Sequence, residues 1–437
     1  MSEGKASRVE RDYFGEVEIP DGKRYGVLTV RAMENLSFSG ELLAQKESFI
    51  RAMLEVKKAA AMMNMRTAEL SEAKGQAIVR ACDALLDARD YSDFVVDAYH
   101  GGGGIATNVN VNEVVAHVAG MTVSATEDVN ASQSTADACH TALHIALYRE
   151  FAELDVRLLG LVDVTADVTA RFAEIETISR TCMQDAMRIR QGERFSGYTA
   201  VLRRRRDKIR MEMPRLLTVN LGKTVLGSGV GASDAYRDGI TTCLRDVTGL
   251  PLVMTANGFD TAQNVDLLAD LADVVKLYAE TLIKFCQDLR FLSSGPEAGI
   301  GELILPAFMA GSTFFPGKVN PVVPETVMQG AFSIIGKIET IHLCYRHSDT
   351  DLNVFEHMAG MTLMEAIAEL GAITDLLGER CLKDITANQA KCAEYANALI
   401  PLVVDLKAHY SYTEVQTLLT TKTKTELVEI LKGVTNR

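Results

Sequence analysis

One short segment of the sequence, residues 311–321, carries side chains whose types and spacing suit acid–base chemistry. It places the hydroxyls of Ser312 and Thr313, the cation of Lys318 and the carboxamide of Asn320 on a single glycine-bounded loop. A cation together with a carboxamide donor binds a carboxylate well. A serine beside them accepts a proton only as an alkoxide, so positive charge or backbone N–H groups must lower its pKa. The segment therefore indicates a site that holds a carboxylate while a neighbouring proton is removed.

Proton removal of this kind suits an elimination reaction. A hydrogen on a carbon two bonds from a leaving group is not acidic unless an adjacent group accepts the developing charge. Elimination therefore requires a base, an electron sink surrounded by donors, and a leaving group that can escape. The loop offers a base and some of the donors, and other parts of the chain must supply the rest.

The composition is that of a large acidic protein. Its 437 residues are enough for about three domains and a large core. A formal net charge of −13 argues against non-specific attraction to nucleic acid or to an anionic membrane. The basic run Arg203–Arg206 departs from this balance, and we interpret it as a solvated helix face or subunit contact in preference to an anion site.

The sequence contains no pattern typical of export or membrane insertion. Its first residues alternate in charge, and no apolar run reaches the roughly 18 residues that span a bilayer. The eight cysteines are scattered without metal-binding spacing, so we expect buried free thiols in a reducing cytoplasm. We therefore predict a cytoplasmic protein with no metal, no cofactor and no nucleic-acid or membrane partner.

Long helices must position these side chains. No proline occurs between Pro20 and Pro214, and apolar residues recur at three- and four-residue steps over 264–290. Similar patterns with few breakers cover 140–178 and 325–377, whereas 14–19 alternates like a short strand. Helices much longer than about 25 residues usually belong to bundles.

We therefore predict a mainly α fold with three domains. They are a mixed, mostly helical domain at 1–134, a central long-helix bundle at 135–384 and a short helical domain at 385–437.

The segment at 311–321 resembles the signature of the fumarase/aspartase superfamily. Ser293–Pro296 and Val322–Glu325 extend the match, and Tyr25–Val27 with its surroundings looks like the aspartase branch. Further similarities, to the three substrate loops of the family, occur at 102–108, 128–135 and 181–186. The resemblance covers nearly the whole chain. It implies a homotetramer whose central helices form one multi-helix core, with each active site assembled from three subunits.

The resemblance also implies roles for individual residues. Ser312 stands where the family has its catalytic base, and Lys318 and Asn320 match residues that hold the carboxylate beside the amine-bearing carbon. The matched loops supply further substrate-binding candidates, which are Thr313, Ser134, Thr135, Thr181, Thr107 and Asn108. Any one of the serine and threonine hydroxyls can instead cap a helix, which is their commoner role.

Several positions depart from the family pattern, and each change removes polarity or positive charge. Ile105 replaces the threonine usual in aspartases, and Ala136 replaces an asparagine. Cys182 replaces a histidine, so Glu325, which resembles the carboxylate partner of that histidine, has lost its usual partner. Glu297 replaces an arginine.

Two aromatic residues, Phe314 and Phe315, stand in the signature loop where aliphatic and methionine residues are usual. They either contact the substrate or pack in the core. Together the departures predict a pocket that binds a second carboxylate poorly and accepts a flatter, less anionic group.

The leading hypothesis is an aspartase-like carbon–nitrogen lyase that eliminates ammonia or an amine from an α-amino acid or betaine, giving an α,β-unsaturated carboxylate. Alternatives are ergothionase-type elimination of trimethylamine from ergothioneine to thiourocanate, aspartate ammonia-lyase proper, and an inactive structural homologue. A hydratase is disfavoured because the motif at Tyr25–Val27 differs from that of fumarases.

Overall fold

The protein is built mainly from α-helices, as the sequence predicts. The computed structural model describes residues 7–120 and 122–435. Its helices are α1 (Val27–Leu36), α2 (Glu47–Arg66), α3 (Glu72–Ala88), α4 (Ile105–Ala119), α5 (Thr135–Arg171), α6 (Gln191–Glu212), α7 (Asp234–Thr248), α8 (Gly258–Gln263), α9 (Asp266–Leu292), α10 (Val322–Arg346), α11 (Glu356–Leu377), α12 (Gln389–Ala396), α13 (Leu399–Leu406), α14 (Tyr412–Thr421) and α15 (Lys424–Thr435).

The strands form two-stranded sheets. They are β1 (Ser7–Asp12) with β2 (Gly15–Pro20), β3 (Glu176–Thr181) with β4 (Gln184–Arg190), β5 (Thr218–Val219) with β6 (Val253–Met254), and β7 (Leu303–Ile304) with β8 (Thr386–Ala387). The β5–β6 pair is parallel and the other three are antiparallel. The alternation at 14–19 thus correctly predicted β2.

The periodic apolar pattern at 264–290 is confirmed as one helix, α9. Leu268, Leu271, Val275 and Leu282, which recur at helical spacing, are all buried. Burying a leucine or valine side chain stabilises the fold by about 1.5–3 kcal/mol, so this face alone favours the helix strongly.

Two of the longer periodic segments are each interrupted. The helix predicted over 140–178 ends at Arg171, and Ile178 lies in β3 opposite Arg188. The segment 325–377 is divided into α10 and α11 by a polar loop at 347–355.

The polypeptide forms two compact units, each assembled from three stretches of chain. Among the described residues, the first contains those up to Asp155 together with Lys208–Lys276 and Ser333–Glu369, and the second contains Val156–Asp207, Leu277–Phe332 and those from Leu370 onward. Five long helices, α5, α6, α9, α10 and α11, contribute residues to both units. The division into domains at 134 and 384 stays a prediction.

In the first unit, α2 lies at the centre of the apolar core. Phe49, Ile50, Met53 and Leu54 on this helix are fully buried, and it packs against α3 and α7. In the second unit, Leu402, Leu406, Val415 and Leu427 form a small apolar cluster near the C-terminus.

The aspartase-like motif at Tyr25–Val27 is held by a carboxylate. Glu113 Oε2 accepts the backbone N–H of Gly26 at 2.8 Å and of Thr29 at 3.0 Å, and Oε1 accepts that of Leu28 at 2.9 Å. These N–H groups open α1, where an anion is favoured by the helix dipole. Glu113 thereby fixes α1 against α4.

None of the helices in the described part of the chain is long and apolar enough to cross a membrane.

Candidate active site

The signature loop at 311–321 is closed by its own backbone. The N–H of Gly311 donates to the carbonyl oxygen of Lys318 at 2.8 Å, and Asn320 Nδ2 donates to the carbonyl oxygen of Gly311 at 2.5 Å. A Cβ on residue 311 would lie 2.5 Å from the Lys318 oxygen, closer than real side chains allow. Only glycine therefore permits this closure.

Ser312 Oγ accepts two backbone hydrogen bonds inside this loop. The N–H groups of Phe314 and Phe315 lie 3.0 and 2.9 Å from it. Such donors stabilise a hydroxyl oxygen more when it carries a negative charge, which is the direction a serine base requires. The same geometry is found in ordinary serine turns, so the base role stays a prediction.

The two aromatic rings of the loop lie outside the apolar core of this chain. Phe314 is 81% exposed and Phe315 is 56% exposed, and their ring centroids are 4.8 Å apart in an edge-to-face contact. The Nζ of Lys318 lies 5.7 Å from the Phe315 centroid, within cation–π range. Thr313 is also exposed. The loop therefore presents hydroxyl, cation and aromatic faces on its surface.

Ser134 and Thr135 lie at the start of α5 and have partners of different kinds. Ser134 Oγ donates to Asp137 Oδ1 at 3.2 Å and accepts the Asp137 N–H at 3.4 Å, which is a helix-capping arrangement. The second carboxylate oxygen of Asp137 accepts the N–H of Gly222 at 2.8 Å and of Thr224 at 3.0 Å. Burial raises the pKa of Asp137.

Thr135 and Asn108 belong to a network around a buried cation, Lys57, that the sequence analysis missed. Asn108 Nδ2 donates to Thr135 Oγ1 at 3.1 Å. The Nζ of Lys57 donates to Asn108 Oδ1 at 2.8 Å, Asn130 Oδ1 at 3.1 Å and Gln133 Oε1 at 3.0 Å. Burial of the side chain lowers the Lys57 pKa to about 8.

Lys57 sits in the sequence next to Lys58, and such pairs usually mark a solvated helix face. The available sequence signal was the apolar character of the residues three and four positions away on the same face of α2, namely Met53, Leu54, Ala60 and Ala61, which are all buried. The buried charge orients the amide of Asn108, and through it the hydroxyl of Thr135.

Thr107 lies in the protein interior. Its Oγ1 is 3.0 Å from His100 Nε2 and 3.2 Å from His357 Nε2, and all three side chains are buried. Burial lowers the pKa of both imidazoles, that of His357 to about 3. This hydroxyl supports the N-terminal turn of α4, and any substrate role for it stays a prediction.

Ile105 opens onto an apolar groove of about 500 Å³ in the first unit. It is the first residue of α4 and is 43% exposed, and Leu28 and Leu36 are among the other lining residues. Arg31 is the one cation among the described lining residues, and its Nε and Nη2 lie 3.3 and 3.2 Å from Asp12. That pair lowers the pKa of Asp12 and compensates the arginine's charge.

Ala136, in the first turn of α5, is half-buried.

The segment that resembles the family's third substrate loop lies at the turn between β3 and β4. Thr181 and Cys182 are exposed there, and Cys182 and Met183 adopt left-handed φ values of +52° and +60°. The expectation that all eight cysteines are buried is wrong for Cys182, because its turn lies on the surface of the single chain.

Glu325 has a partner other than the missing histidine. Its Oε1 lies 3.3 Å from Arg290 Nη2, so an arginine on α9 compensates the carboxylate in the first turn of α10. Glu297 lies in an exposed loop.

The candidate residues are divided between the two units. The first unit holds Ile105, Thr107, Asn108, Ser134, Thr135 and Ala136. The second holds Thr181, Cys182, Glu297, Ser312, Thr313, Phe314, Phe315, Lys318, Asn320 and Glu325.

Comparison with known proteins places this arrangement in a family. A family model described as Lyase matches residues 15–336. Aspartate ammonia-lyase from Helicobacter pylori strain J99 is 36% identical over 415 residues, which cover 93% of this chain and 89% of that protein. Aspartate ammonia-lyase from Bacillus subtilis strain 168 is 35% identical over 418 residues, covering 93% and 88%.

Solved structures share the fold. A fumarate lyase:delta crystallin from Brucella melitensis bound to cobalt matches with a TM-score of 0.94 and 34% identity, covering 98% of this chain and 96% of that one. A class II fumarase from Schistosoma mansoni matches with a TM-score of 0.92 and 26% identity, again over 98% and 96%.

The long-helix fold and the serine-containing loop thus define a lyase. The chain belongs to the fumarase/aspartase superfamily, and its aspartate ammonia-lyase relatives support the carbon–nitrogen lyase class.

Proposed function

We propose that this lyase eliminates ammonia or an amine from an α-amino acid or betaine whose β substituent is neutral and flat, and that aspartate is a poor substrate. The observation that carries the proposal is the apolar groove beside Ile105. In an aspartase-like site this position supplies a hydroxyl to the second carboxylate, whereas here it supplies a hydrocarbon.

The charges of the groove support the same conclusion. Arg31 already has a carboxylate partner in Asp12, so a substrate carboxylate would compete with that ion pair for the guanidinium. Burying an incompletely paired carboxylate is costly. An uncharged ring avoids that cost and gains contact with the apolar lining.

The proposed reaction uses the signature loop. Ser312 Oγ, held by the two backbone N–H groups, takes the proton from the β carbon. The electron pair of the broken C–H bond forms the C=C bond, and the pair of the C–N bond leaves with the amine. Lys318 and Asn320 hold the carboxylate on the carbon that loses the amine, and the β substituent accepts charge in the transition state.

Ergothioneine is the second, more specific candidate, and the exposed faces of Phe314 and Phe315 favour it. Its quaternary ammonium and thioimidazole ring both bind well to aromatic faces. Its thioimidazole ring would accept the developing charge that a carboxylate accepts in aspartase chemistry.

We also propose that the protein acts as a homotetramer with composite active sites. The family match supports this assembly, and so does the exposure of the signature loop and of the turn bearing Thr181 in a single chain. A small molecule processed by such a site would contact residues from several subunits.

The test is a comparison of kcat/KM for aspartate with that for ergothioneine, histidine and phenylalanine. We expect kcat/KM for at least one substrate with an aromatic β substituent to exceed that for aspartate by roughly a hundredfold. This factor corresponds to about 3 kcal/mol, the free energy of the hydrogen bonds to a second carboxylate that are lost at Ile105 and Ala136. An aspartate value of about 10⁵ M⁻¹s⁻¹ or more would identify an aspartate ammonia-lyase and overturn the proposal. No turnover of any of these substrates would favour the inactive homologue.

A further inference from the structure

Two histidines on α5 and a glutamate on α11 form a buried cluster that the elimination chemistry does not use. His140 and His144 are four residues apart, which places them on one face of the helix. Both are 4% exposed, and Glu356 lies beside them with its side chain 15% exposed. One potential ligand atom from each of the three residues lies within 4.8 Å of the other two.

The hydrogen bonds of the two rings fix which nitrogen carries the proton. His140 Nδ1 lies 2.6 Å from Glu356 Oε1, and His144 Nδ1 lies 2.8 Å from the carbonyl oxygen of Thr218. A carboxylate or carbonyl acceptor at Nδ1 keeps the proton there and leaves the lone pair on Nε2. Metal-binding histidines are oriented in this way by their outer partners.

His140 Nε2 is buried and has no hydrogen-bond partner among the described residues. Buried polar atoms are rarely left unpaired, because desolvation without compensation is unfavourable. The two rings are close, with centroids 4.0 Å apart. A cation bound by His140 Nε2 would therefore lie beside the second imidazole and would satisfy the unpaired atom.

We propose that His140 and His144 bind one divalent transition-metal ion of the zinc or cobalt type through their Nε2 atoms, with Glu356 as the outer partner that orients His140. Imidazole nitrogens suit such ions, whereas magnesium and calcium prefer oxygen ligands. The Glu356 carboxylate, hydrogen-bonded to His140, offsets part of the metal charge in a buried setting. Two protein donors leave coordination positions for water.

The site is independent of the elimination reaction proposed above, so its test does not rely on turnover. The full-length protein is treated with a chelator, dialysed, and titrated with Co²⁺, Zn²⁺ or Mg²⁺ alone by calorimetry. We expect one Co²⁺ or Zn²⁺ per chain, a visible absorption band from bound Co²⁺, and much weaker binding of Mg²⁺. Absence of Co²⁺ and Zn²⁺ binding up to millimolar concentration overturns the proposal.

Variants locate the ion. His140→Gln and His144→Gln should each weaken Co²⁺ binding at least about 10- to 100-fold, the range seen when even outer partners of metal ligands are removed. The matched control is His342→Gln, since His342 Nε2 also pairs with a carboxylate, that of Asp273, at 3.0 Å. Equal Co²⁺ affinity in the folded His140→Gln, His144→Gln and control variants would contradict the assignment.

X-ray absorption of the wild-type protein with Co²⁺ keeps the proposal testable if a variant fails to fold. Scattering from about two imidazole ligands supports the site. A coordination shell of oxygen atoms without imidazole overturns it.

Discussion

Replacing Ile105 by threonine should increase the turnover of aspartate. The change puts a hydroxyl on the first residue of α4, where the side chain is 43% exposed and faces the groove. A hydrogen bond to a charged group contributes about 1.5–3 kcal/mol, which corresponds to roughly a 10- to 150-fold increase in kcat/KM if it forms in the transition state. The N-terminus of the helix also favours an anion there.

The folding cost of this change is small. Ile105 is only partly buried, so the loss of apolar contact on changing it to threonine should cost below about 1 kcal/mol. The residue follows Gly104, whose φ of +96° is unaffected by a change at position 105. Thermal unfolding of the variant should therefore match that of the wild type closely.

The assay is steady-state formation of fumarate, followed by its ultraviolet absorbance. Ile105→Val is the matched control, because valine has nearly the shape of threonine without the hydroxyl. The ratio of the threonine variant to the valine variant isolates the hydroxyl. A ratio within about threefold of one for aspartate would refute the reasoning, as would an equal gain for a substrate with an aromatic β substituent.

Three further predictions concern the base, the buried cation and the assembly. Ser312→Ala should fold normally and lose at least ~100-fold in kcat, and near-normal turnover would exclude Ser312 as the base. Because burial lowers the Lys57 pKa to about 8 from its ordinary 10.5, the unfolded chain binds more protons between these values and wild-type stability should rise with pH there. Measured by denaturant unfolding, the free energy of unfolding of the wild type relative to Lys57→Met should rise by roughly 3 kcal/mol over this pH range. A difference between the two proteins that does not change with pH would contradict the buried charge. Mixed Thr181→Ala and Lys318→Ala subunits should regain activity that neither has alone, and an active monomer in sedimentation would rule out composite sites.

The helices were predictable where the apolar pattern was long and uninterrupted, as in α9. The pattern failed near Ile178 because an apolar residue in a strand and one in a helix look alike over a few positions. The turn that makes the β3–β4 hairpin uses left-handed φ at Cys182 and Met183, residues that give no glycine or asparagine signal for it.

The signature loop was predictable because its residues are adjacent in the sequence, whereas the network around Lys57 was not. Lys57 meets Asn108, Asn130 and Gln133 through contacts between distant segments of chain. A lysine in a helix is normally solvated, and the apolar neighbours of Lys57 indicate a buried face without identifying the amide groups that bind its charge. The inward direction of Thr107 likewise depends on His100 and His357, which no local pattern connects.

The exposed turn at Cys182 makes the protein suitable for selective labelling. Of its eight cysteines, all within the described residues, seven are buried, and burial raises the thiol pKa of Cys82, Cys139 and Cys381 to about 12. Thiol reagents attack the thiolate, so these buried groups react slowly. A thiol-reactive fluorophore added in equimolar amount to the unmodified protein should attach at Cys182, next to Thr181. The label would report changes at that hairpin turn, and the other cysteines would not have to be replaced first.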